Sequence, residues 1–240
     1  MKNNKTPEPE AYTLGSIPFV HTEIYLDSRP LIPRTETEYW VMQATEEIKT
    51  SGVEKPKILD LCAGSGCIGV TVLKEILEAQ VDFAELDESH HQTIRKNIRE
   101  NGLDHTRTRI FGGDLFENIS DKYNFILSNP PYINPELKNR IQESVLEHEP
   151  AEALFGGRDG LEIIDKILDK AQDYLKPNAI LYIEHEPEQV EHLSKHRAYL
   201  DSNPDQFDLI RFSRFSIWVV KWKLFLTFIL LLTTRFALQR

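Results

Sequence analysis

A strand, a glycine-rich turn and a helix follow one another at residues 56–76 (PKILDLCAGSGCIGVTVLKEI), and this segment strongly constrains the fold. The stretch ILDL (58–61), apolar except for Asp60, predicts a buried strand, and the apolar spacing after Gly66 predicts a helix. Gly64 and Gly66 allow a tight turn between the strand and the helix. A strand that leads directly into a helix is typical of a βαβ unit, in which the strands run parallel.

The same alternation continues along the chain. Further strands are predicted at AQVDFAEL (79–86), TRTRIFGGDLF (106–116), YNFILSN (123–129) and NAILYIEHE (178–186). Further helices are predicted at TETEYWVMQATEEIK (35–49), DESHHQTIRKNIREN (87–101) and DGLEIIDKILDKAQDYLK (159–176), and residues 11–33 are expected to form a hairpin. The pattern predicts an α/β fold with a parallel sheet covered on both faces and a ligand site at the carboxyl ends of its strands.

Composition limits the possible classes of protein. With 240 residues, 40% of them hydrophobic, the chain suits one domain with a sizeable core. A formal net charge of −10 argues against a protein that is drawn as a whole to nucleic acid. Residues 211–240 contain six basic and no acidic residues, which leaves −16 for residues 1–210. Two cysteines, Cys62 and Cys67, are too few for a disulfide framework and indicate a reducing cytoplasm.

The glycine-rich turn predicts a site for a cationic ligand without phosphate. Asp60 ends the strand before the turn, where a carboxylate would repel a pyrophosphate but suit an ammonium or sulfonium. Glu85 ends the next strand, 19 residues after Gly66, where a carboxylate can accept from both ribose hydroxyls. These features predict S-adenosylmethionine as cofactor, with Asp114 a candidate acceptor for its adenine amino group. A structural turn with solvated acids is the alternative.

The segment NPPY (129–132) follows an apolar strand, and two adjacent prolines cannot continue a strand ladder. It therefore predicts a stiff loop at the carboxyl end of that strand. Methyl transfer to a planar amide or aromatic amine requires a site that holds the NH2 group by its two hydrogens. The side-chain oxygen of Asn129 and the carbonyl of Pro130 can accept them, and Tyr132 offers a ring for stacking. A simple strand-ending turn is the alternative.

At this point the sequence resembles the glutamine N5-methyltransferases that modify peptide chain release factors, within the class I S-adenosylmethionine-dependent methyltransferases. The resemblance runs from about Tyr12 to about Glu186. It rests on LIPRTETE (31–38), ILDLCAGSGCIG (58–69), GGDLFE (112–117), NPPYI (129–133) and EHEPAEALFGGRDGL (147–161). The last segment distinguishes this family from most other enzymes that have an NPPY loop.

The resemblance implies a Rossmann-like fold with a mostly parallel, seven-stranded sheet. In the family the sheet ends in an antiparallel strand pair, which QFDLIRF (206–212) and FSIWVVKW (215–222) would supply. The family's N-terminal helical domain is expected to be largely absent here. We divide the chain into a lead and β-hairpin at 1–33, a methyltransferase domain at 34–223 and an apolar basic tail at 224–240.

Motifs and resemblance together predict the site. Cofactor-binding residues are predicted at Asp60, Cys62, Ala63, Gly64, Ser65, Gly66, Glu85, Asp114, Leu115 and Asn129. Catalytic residues are predicted at Asn129, Pro130 and Tyr132, and substrate contacts at Asn129, Pro130, Pro131 and Tyr132. Three charged residues without an assigned role are expected near the methionine end of the cofactor: Arg34, Glu36 and Glu38. No metal site is predicted, and the adjacent His90 and His91 are expected on a solvated helix face.

Four positions depart from the family pattern. The family usually has proline at position 35, glycine at 62, aspartate at 85 and an aromatic residue at 115, where this chain has Thr35, Cys62, Glu85 and Leu115. Cys62 therefore needs a backbone conformation that is compatible with a Cβ, and Leu115 would stack less well on adenine. We expect these departures to change the affinity for the cofactor, and to matter less for whether the chain belongs to the family.

The resulting prediction is an enzyme that methylates the side-chain amide nitrogen of a protein glutamine, in the Gly-Gly-Gln loop of a release factor. A DNA adenine-N6 methyltransferase, which holds a flipped base with the same loop, is an alternative that would need a basic groove. A membrane-attached cofactor-binding module with weak catalysis is another, suggested by LFLTFILLL (224–232). We expect a cytoplasmic monomer without direct nucleic-acid contact, with peripheral membrane contact through the tail as a second choice.

Overall fold

In the computed structural model, which describes residues 6–193 and 210–212, strands and helices alternate along the chain. The strands are β1 (Ser16–Phe19), β2 (Thr22–Tyr25), β3 (Lys57–Leu61), β4 (Gln80–Ala84), β5 (Thr108–Phe111), β6 (Tyr123–Ser128), β7 (Leu175–Ile183) and β8 (Ile210–Phe212). The α-helices are α1 (Glu10–Leu14), α2 (Thr35–Thr50), α3 (Cys67–Glu75), α4 (His91–Glu100), α5 (Glu143–His148), α6 (Ala151–Leu154) and α7 (Glu162–Tyr174). Short 3-10 helices lie at Glu88–His90, His105–Arg107, Pro135–Arg140, Arg158–Gly160 and Pro187–Gln189.

Six strands form one sheet in the order β5-β4-β3-β6-β7-β8, and all of its pairings are parallel. After β3 the chain builds β4 and β5 on one side and then returns to place β6 and β7 on the other. The strand order therefore reverses between β3 and β6, and a crevice is expected at this switch point beyond the carboxyl ends of the strands. The predicted parallel sheet is confirmed.

Each face of the sheet carries its own apolar core, because successive residues of a strand point to opposite faces. Ile58 of β3 packs with Trp40 of α2 and Ile94 of α4 in one core. Leu59, the next residue, packs with Ile164 of α7 in the other. Helices therefore cover both faces of the sheet, and the residues of β3 from position 58 to 61 are all buried.

The predicted local elements agree with the structure over most of the described chain. β1 and β2 form the expected antiparallel hairpin, and α2 begins at Thr35 as predicted. Short elements were missed: α1, the 3-10 turn at Pro135–Arg140, α5 and α6. Helices this short are marginal by local propensity alone, so tertiary contacts decide whether they form.

The antiparallel strand pair predicted for the end of the sheet would join QFDLIRF to FSIWVVKW, and it stays a prediction because the second segment lies outside the described residues. β8 lies within QFDLIRF and runs parallel to β7, with Leu181 opposite Ile210. A parallel pairing needs a crossover of a dozen residues or more, and the interval between β7 and β8 is long enough to provide it.

Several predictions about the C-terminal part fall outside the described residues. FSIWVVKW (215–222) and the tail at 224–240 both lie there. The division of the chain at 33 and 223 therefore stays a prediction. Among the helices of the described part, none has both the length and the apolar character that a membrane span requires.

A candidate active site at the carboxyl ends of the strands

The turn between β3 and α3 approaches its neighbours closely because its glycines lack a Cβ. Gly64 and Gly66 have φ angles of +55° and +78°, in the left-handed region that glycine adopts without steric cost. A Cβ at Gly66 would lie 3.2 Å from side-chain atoms of Phe83 and Ile94. The glycine therefore lets α3 begin directly against β4 and α4.

Glu85 joins this turn to the residues that follow β4. One of its carboxylate oxygens accepts from the backbone N–H of Gly64 at 2.7 Å, and the other from that of Asp87 at 2.9 Å. Each carboxylate oxygen has a further lone pair that can accept from a ligand hydroxyl. The half-buried Glu85 also lines the cavity described next, so it can contact a ligand while it supports the turn.

A cavity of about 360 Å³ lies beyond the carboxyl ends of β3, β4 and β6, in the size range of small-ligand sites. Its walls come from Ile163 and from six stretches of the chain: 31–37, 62–68, 84–90, 113–115, 129–131 and 150–153. Four carboxylate side chains line it, those of Glu85, Asp87, Asp114 and Glu152, and the described lining contains neither lysine nor arginine. This charge distribution favours a cationic ligand over a phosphate.

Two residues that line the cavity have a strained backbone. Cys62 and Leu115 have φ angles of +61° and +55°, a region that costs a residue with a Cβ roughly 1–2 kcal/mol. The left-handed backbone at Cys62 can therefore hold a residue with a Cβ, but it does so at this cost in free energy. Burial, with a smaller contribution from Glu85, raises the pKa of the Cys62 thiol, so it remains protonated and is not a thiolate nucleophile.

Asp60 lies beneath the turn and not among the residues that line the cavity. Its side chain is completely buried, and Oδ2 accepts from the backbone N–H of Gly69 at 2.8 Å. Within the described chain, Oδ1 has no hydrogen-bond partner. Burial, opposed by the Gly69 N–H, raises the pKa of Asp60 from 3.8 to about 8. The carboxyl group is therefore largely neutral at pH 7.

The NPPY loop leaves the end of β6 and reaches the cavity through Asn129 and Pro131. Nδ2 of Asn129 donates to Oγ1 of Thr37, which belongs to the first turn of α2, at 3.3 Å. Pro130 is buried. The loop is therefore supported from behind while its polar side chain lies at the cavity wall.

The segment 154–160 packs against this loop and explains why the loop motif and the FGGRDGL stretch occur together. The backbone of Ile133 donates to Leu154 at 2.9 Å, and that of Gly156 donates to Ile133 at 3.0 Å. A Cβ at Gly160 would lie only 2.1 Å from the carbonyl oxygen of Tyr132. Residue 160 is therefore a glycine because the loop backbone occupies the space that a side chain would need.

Behind the loop lies a buried carboxylate, Glu184, which directly follows β7 and is 1% exposed. It accepts three side-chain hydrogen bonds: from Thr37 Oγ1 at 2.8 Å, Trp40 Nε1 at 2.7 Å and Tyr132 Oη at 3.0 Å. We call Glu184, Thr37, Trp40 and Tyr132 the Glu184 network. The prediction missed Glu184 and Thr37, although an acid directly after a strand is the signal that identified Glu85.

Glu149 ties two wall segments together. Its buried carboxylate accepts from the backbone N–H of Ile32 at 3.0 Å and from the guanidinium of Arg34 at 2.6 Å. The residues expected near the methionine end of the cofactor are not in the cavity lining: Arg34, Glu36 and Glu38. The same stretch contributes other residues to the lining: Leu31, Pro33 and Thr37.

Most of the predicted site residues meet at this cavity, and their roles stay predictions. Those that line it are Cys62, Ala63, Gly64, Ser65, Glu85, Asp114, Leu115, Asn129 and Pro131. Those that do not are Asp60, Gly66, Pro130 and Tyr132. Lining residues that the prediction missed include Thr37, Leu86, Pro150, Glu152 and Ala153.

The expectation of a solvated face for the two adjacent histidines is wrong for His90. Its side chain is buried, with Nδ1 2.8 Å from the hydroxyl of Ser28, and it lines the cavity. His91 is half-buried, with Nε2 3.2 Å from the carbonyl oxygen of Glu85. The cause is tertiary, since the N-terminal end of α4 packs between the residues that follow β2 and those that follow β4.

Known proteins with similar sequences include release factor glutamine methyltransferases. Residues 45–158 match the family model of the methyltransferase small domain. The release factor glutamine methyltransferase of Borreliella burgdorferi is 36% identical over 189 residues, which are 77% of this chain and 63% of that protein. That of Thermodesulfovibrio yellowstonii is 34% identical over 179 residues, with 74% and 63% covered. This chain thus spans less than two thirds of the length of these relatives.

Among solved structures, the catalytic domain of hMettl16 in complex with the MAT2A 3′UTR hairpin 6 superposes with a TM-score of 0.55. The two chains are 17% identical, over 75% of this chain and 67% of the other. At this level of identity the comparison supports the fold alone.

Proposed function

We propose that this chain is a member of the family of the release factor glutamine methyltransferases, and that it methylates the side-chain amide nitrogen of a glutamine in a peptide chain release factor, with S-adenosylmethionine as methyl donor. The target in this proposal is the glutamine of the Gly-Gly-Gln loop. The names of the relatives support the reaction and the substrate class. The cavity supports the cofactor and the kind of group that is methylated.

The residues of the cavity fit S-adenosylmethionine by charge and by shape. The carboxylates that line it, without a lysine or arginine in the described lining, suit a sulfonium and an ammonium and would repel a phosphate. Glu85 would accept from the ribose hydroxyls and Asp114 from the adenine amino group, while the backbone of Gly64 to Gly66 allows close approach. When bound, this cofactor supplies an electrophilic methyl group.

The observation that carries the proposal is the pair of free acceptors in the NPPY loop. Within the described chain, neither Oδ1 of Asn129 nor the carbonyl oxygen of Pro130 accepts a hydrogen bond, while Nδ2 of Asn129 is already bonded to Thr37. A glutamine amide has two N–H donors for these two acceptors. Both acceptors belong to a stiff loop, so their orientation is largely set before the substrate binds.

Holding both amide hydrogens assists the reaction as well as binding. The nitrogen lone pair of an amide is delocalised, and acceptors on its hydrogens stabilise the positive charge that develops on nitrogen as the methyl group arrives. A strong base is not required, because the proton can leave after the methyl group has been transferred. The site needs positioning and acceptors, and these are what Asn129 and Pro130 offer.

The alternative function, a DNA adenine-N6 methyltransferase, is not favoured. Its substrate is a polyanion, whereas the net charge is −10 and the described cavity lining contains four carboxylates and neither lysine nor arginine. We place the reaction in the cytoplasm, where release factors act and where thiols such as Cys62 stay reduced.

The proposal is tested by mass spectrometry of a release-factor domain after incubation with the protein and S-adenosylmethionine. We expect a gain of one methyl group on the glutamine of the Gly-Gly-Gln loop and none on a matched domain in which this glutamine is replaced by alanine. Duplex DNA with labelled cofactor is a parallel arm. Methylation of DNA, or of neither substrate, would contradict the proposed function.

A further inference from the structure

We propose that Thr37 and Glu184 are positioning residues that determine which end of the Asn129 amide faces the cavity, and that they thereby select glutamine over glutamate at the site. The inference rests on the proposed function. Neither residue was identified from a motif. Their role follows from counting donors and acceptors around one buried carboxylate.

The count begins at Glu184, where three donors converge. An ionised carboxylate can only accept, and the indole N–H of Trp40 can only donate. The hydroxyl of Thr37 has a single hydrogen, and it points to the same carboxylate oxygen as Trp40, at 2.8 Å. Because the site is buried, no water competes for this hydrogen at Glu184.

Thr37 can then only accept from its other neighbour, Asn129. The amide presents Nδ2 to the Thr37 oxygen at 3.3 Å, which satisfies this requirement. With the amide reversed, Oδ1 would face the Thr37 oxygen with no hydrogen between them, and the hydroxyl and the amide oxygen would repel each other. The donor inventory around Thr37 therefore assigns the amide orientation and leaves Oδ1 as the acceptor for the substrate.

This orientation discriminates between the two side chains that have the same shape. A glutamine NH2 meets two acceptors, Oδ1 of Asn129 and the carbonyl of Pro130. A glutamate carboxylate would place lone pairs against both of them. A site that is built around a substrate N–H rejects an analogue that lacks it, because its buried acceptors stay unpaired.

The same carboxylate also anchors the far end of the loop. Oη of Tyr132 donates to the second oxygen of Glu184 at 3.0 Å. Asn129 and Tyr132, at the two ends of NPPY, are thus both positioned with respect to Glu184, one through Thr37 and one directly.

The test compares three variants of the full chain: Thr37→Val, Thr37→Ser and Trp40→Phe. Thr37→Val removes the hydroxyl that links Glu184 to Asn129, and Thr37→Ser keeps it. Trp40→Phe removes a donor to the same carboxylate but leaves the link intact, so it controls for the loss of a buried hydrogen bond. Unfolding curves first establish that each variant folds.

Two measurements distinguish a change in the orientation of the Asn129 amide from a general loss of protein stability: turnover, and inhibition by a domain that carries glutamate. For Thr37→Val we expect kcat to fall by about 10- to 100-fold, the effect of a misplaced catalytic group, with unchanged affinity for the cofactor. We also expect a release-factor domain with glutamate in place of the target glutamine to become a competitive inhibitor of Thr37→Val. This domain should not inhibit the wild type, Thr37→Ser or Trp40→Phe, and Thr37→Ser should recover most of the turnover.

The inference is overturned if Thr37→Val and Trp40→Phe behave alike in both readouts, or if calorimetry, without turnover, gives the wild type equal affinity for the glutamine and glutamate domains. Failure of the proposed function looks different: the wild type then methylates no release-factor glutamine, whatever its preference between the two domains. The calorimetric comparison therefore tests the amide orientation independently of catalysis.

Discussion

Gly160→Ala would press a methyl group against the backbone of the NPPY loop. The added Cβ would lie 2.1 Å from the carbonyl oxygen of Tyr132 and 2.8 Å from Nε2 of Gln189. Carbon–oxygen contacts are comfortable only at roughly 3.3 Å or more, so the overlap requires a shift of about 1 Å. The Gln189 amide can rotate away, but the carbonyl belongs to the loop, and the loop must move.

The expected magnitude has two parts. The φ angle of Gly160 is +72°, so alanine there costs about 1–2 kcal/mol from the left-handed backbone alone. Forcing a methyl group into a packed site adds roughly 1–3 kcal/mol. The free energy of unfolding should therefore fall by about 2–5 kcal/mol, and a loop displaced by about 1 Å should lose about 10²-fold in turnover.

Gly102→Ala is the matched control. Gly102 has a similar φ of +67°, but no atom lies within 4 Å of its ideal Cβ position, so only the backbone cost applies. Urea unfolding gives the stability of both variants, and methyl transfer to the release-factor domain gives their turnover. We expect Gly102→Ala to keep its activity and Gly160→Ala to lose it, with cofactor affinity retained in both. Equal stability and equal turnover of the two variants would refute the steric reasoning.

Four further variants test individual residues of the site. Asn129→Ala should raise the activation free energy by roughly 2–4 kcal/mol, as for loss of an oxyanion-hole donor, with an unchanged unfolding midpoint; a variant that keeps most of its turnover would remove Asn129 from the mechanism. Glu85→Ala should weaken S-adenosylmethionine binding by roughly 1–3 kcal/mol in calorimetry, because the ribose hydroxyls lose their charged acceptor, and unchanged affinity would exclude the contact. Cys62→Gly should raise the free energy of urea unfolding by about 1 kcal/mol by relieving the positive φ, a gain that a destabilised variant would disprove. Asp60 has a folded pKa of about 8, above its ordinary 3.8, so the folded state keeps a proton that the unfolded state releases, and this group makes stability fall as pH rises between these values. Asp60→Asn should remove that slope, which pH-dependent urea unfolding measures; identical slopes in the two proteins would contradict the assignment.

Much of the fold could be predicted from local patterns. Three signals each depend on residues only a few positions apart, which is the range over which propensity and periodicity act. They are the largely apolar stretch 58–61, the glycine pair at 64 and 66 and the acidic first turn of α2. Once the strands are parallel, their carboxyl ends meet at one edge. Glu85 and Asn129 could therefore be assigned to one crevice from the sequence alone.

Long-range packing overrode the local pattern elsewhere. His90 looks solvent-exposed by its polar neighbours, yet it is buried against Ser28, because α4 packs against the segment that follows β2.

The hydrogen bonds behind the NPPY loop are the part that only the tertiary structure decided. Thr37 and Glu184 are 147 positions apart, and Tyr132 and Glu184 are 52 apart. No periodicity connects them, because they meet only when α2 packs over the carboxyl ends of β6 and β7. The sequence predicts that Asn129 holds the substrate amide. In our proposal, a hydroxyl and a carboxylate that folding brings behind Asn129 decide which of its two amide atoms faces the substrate.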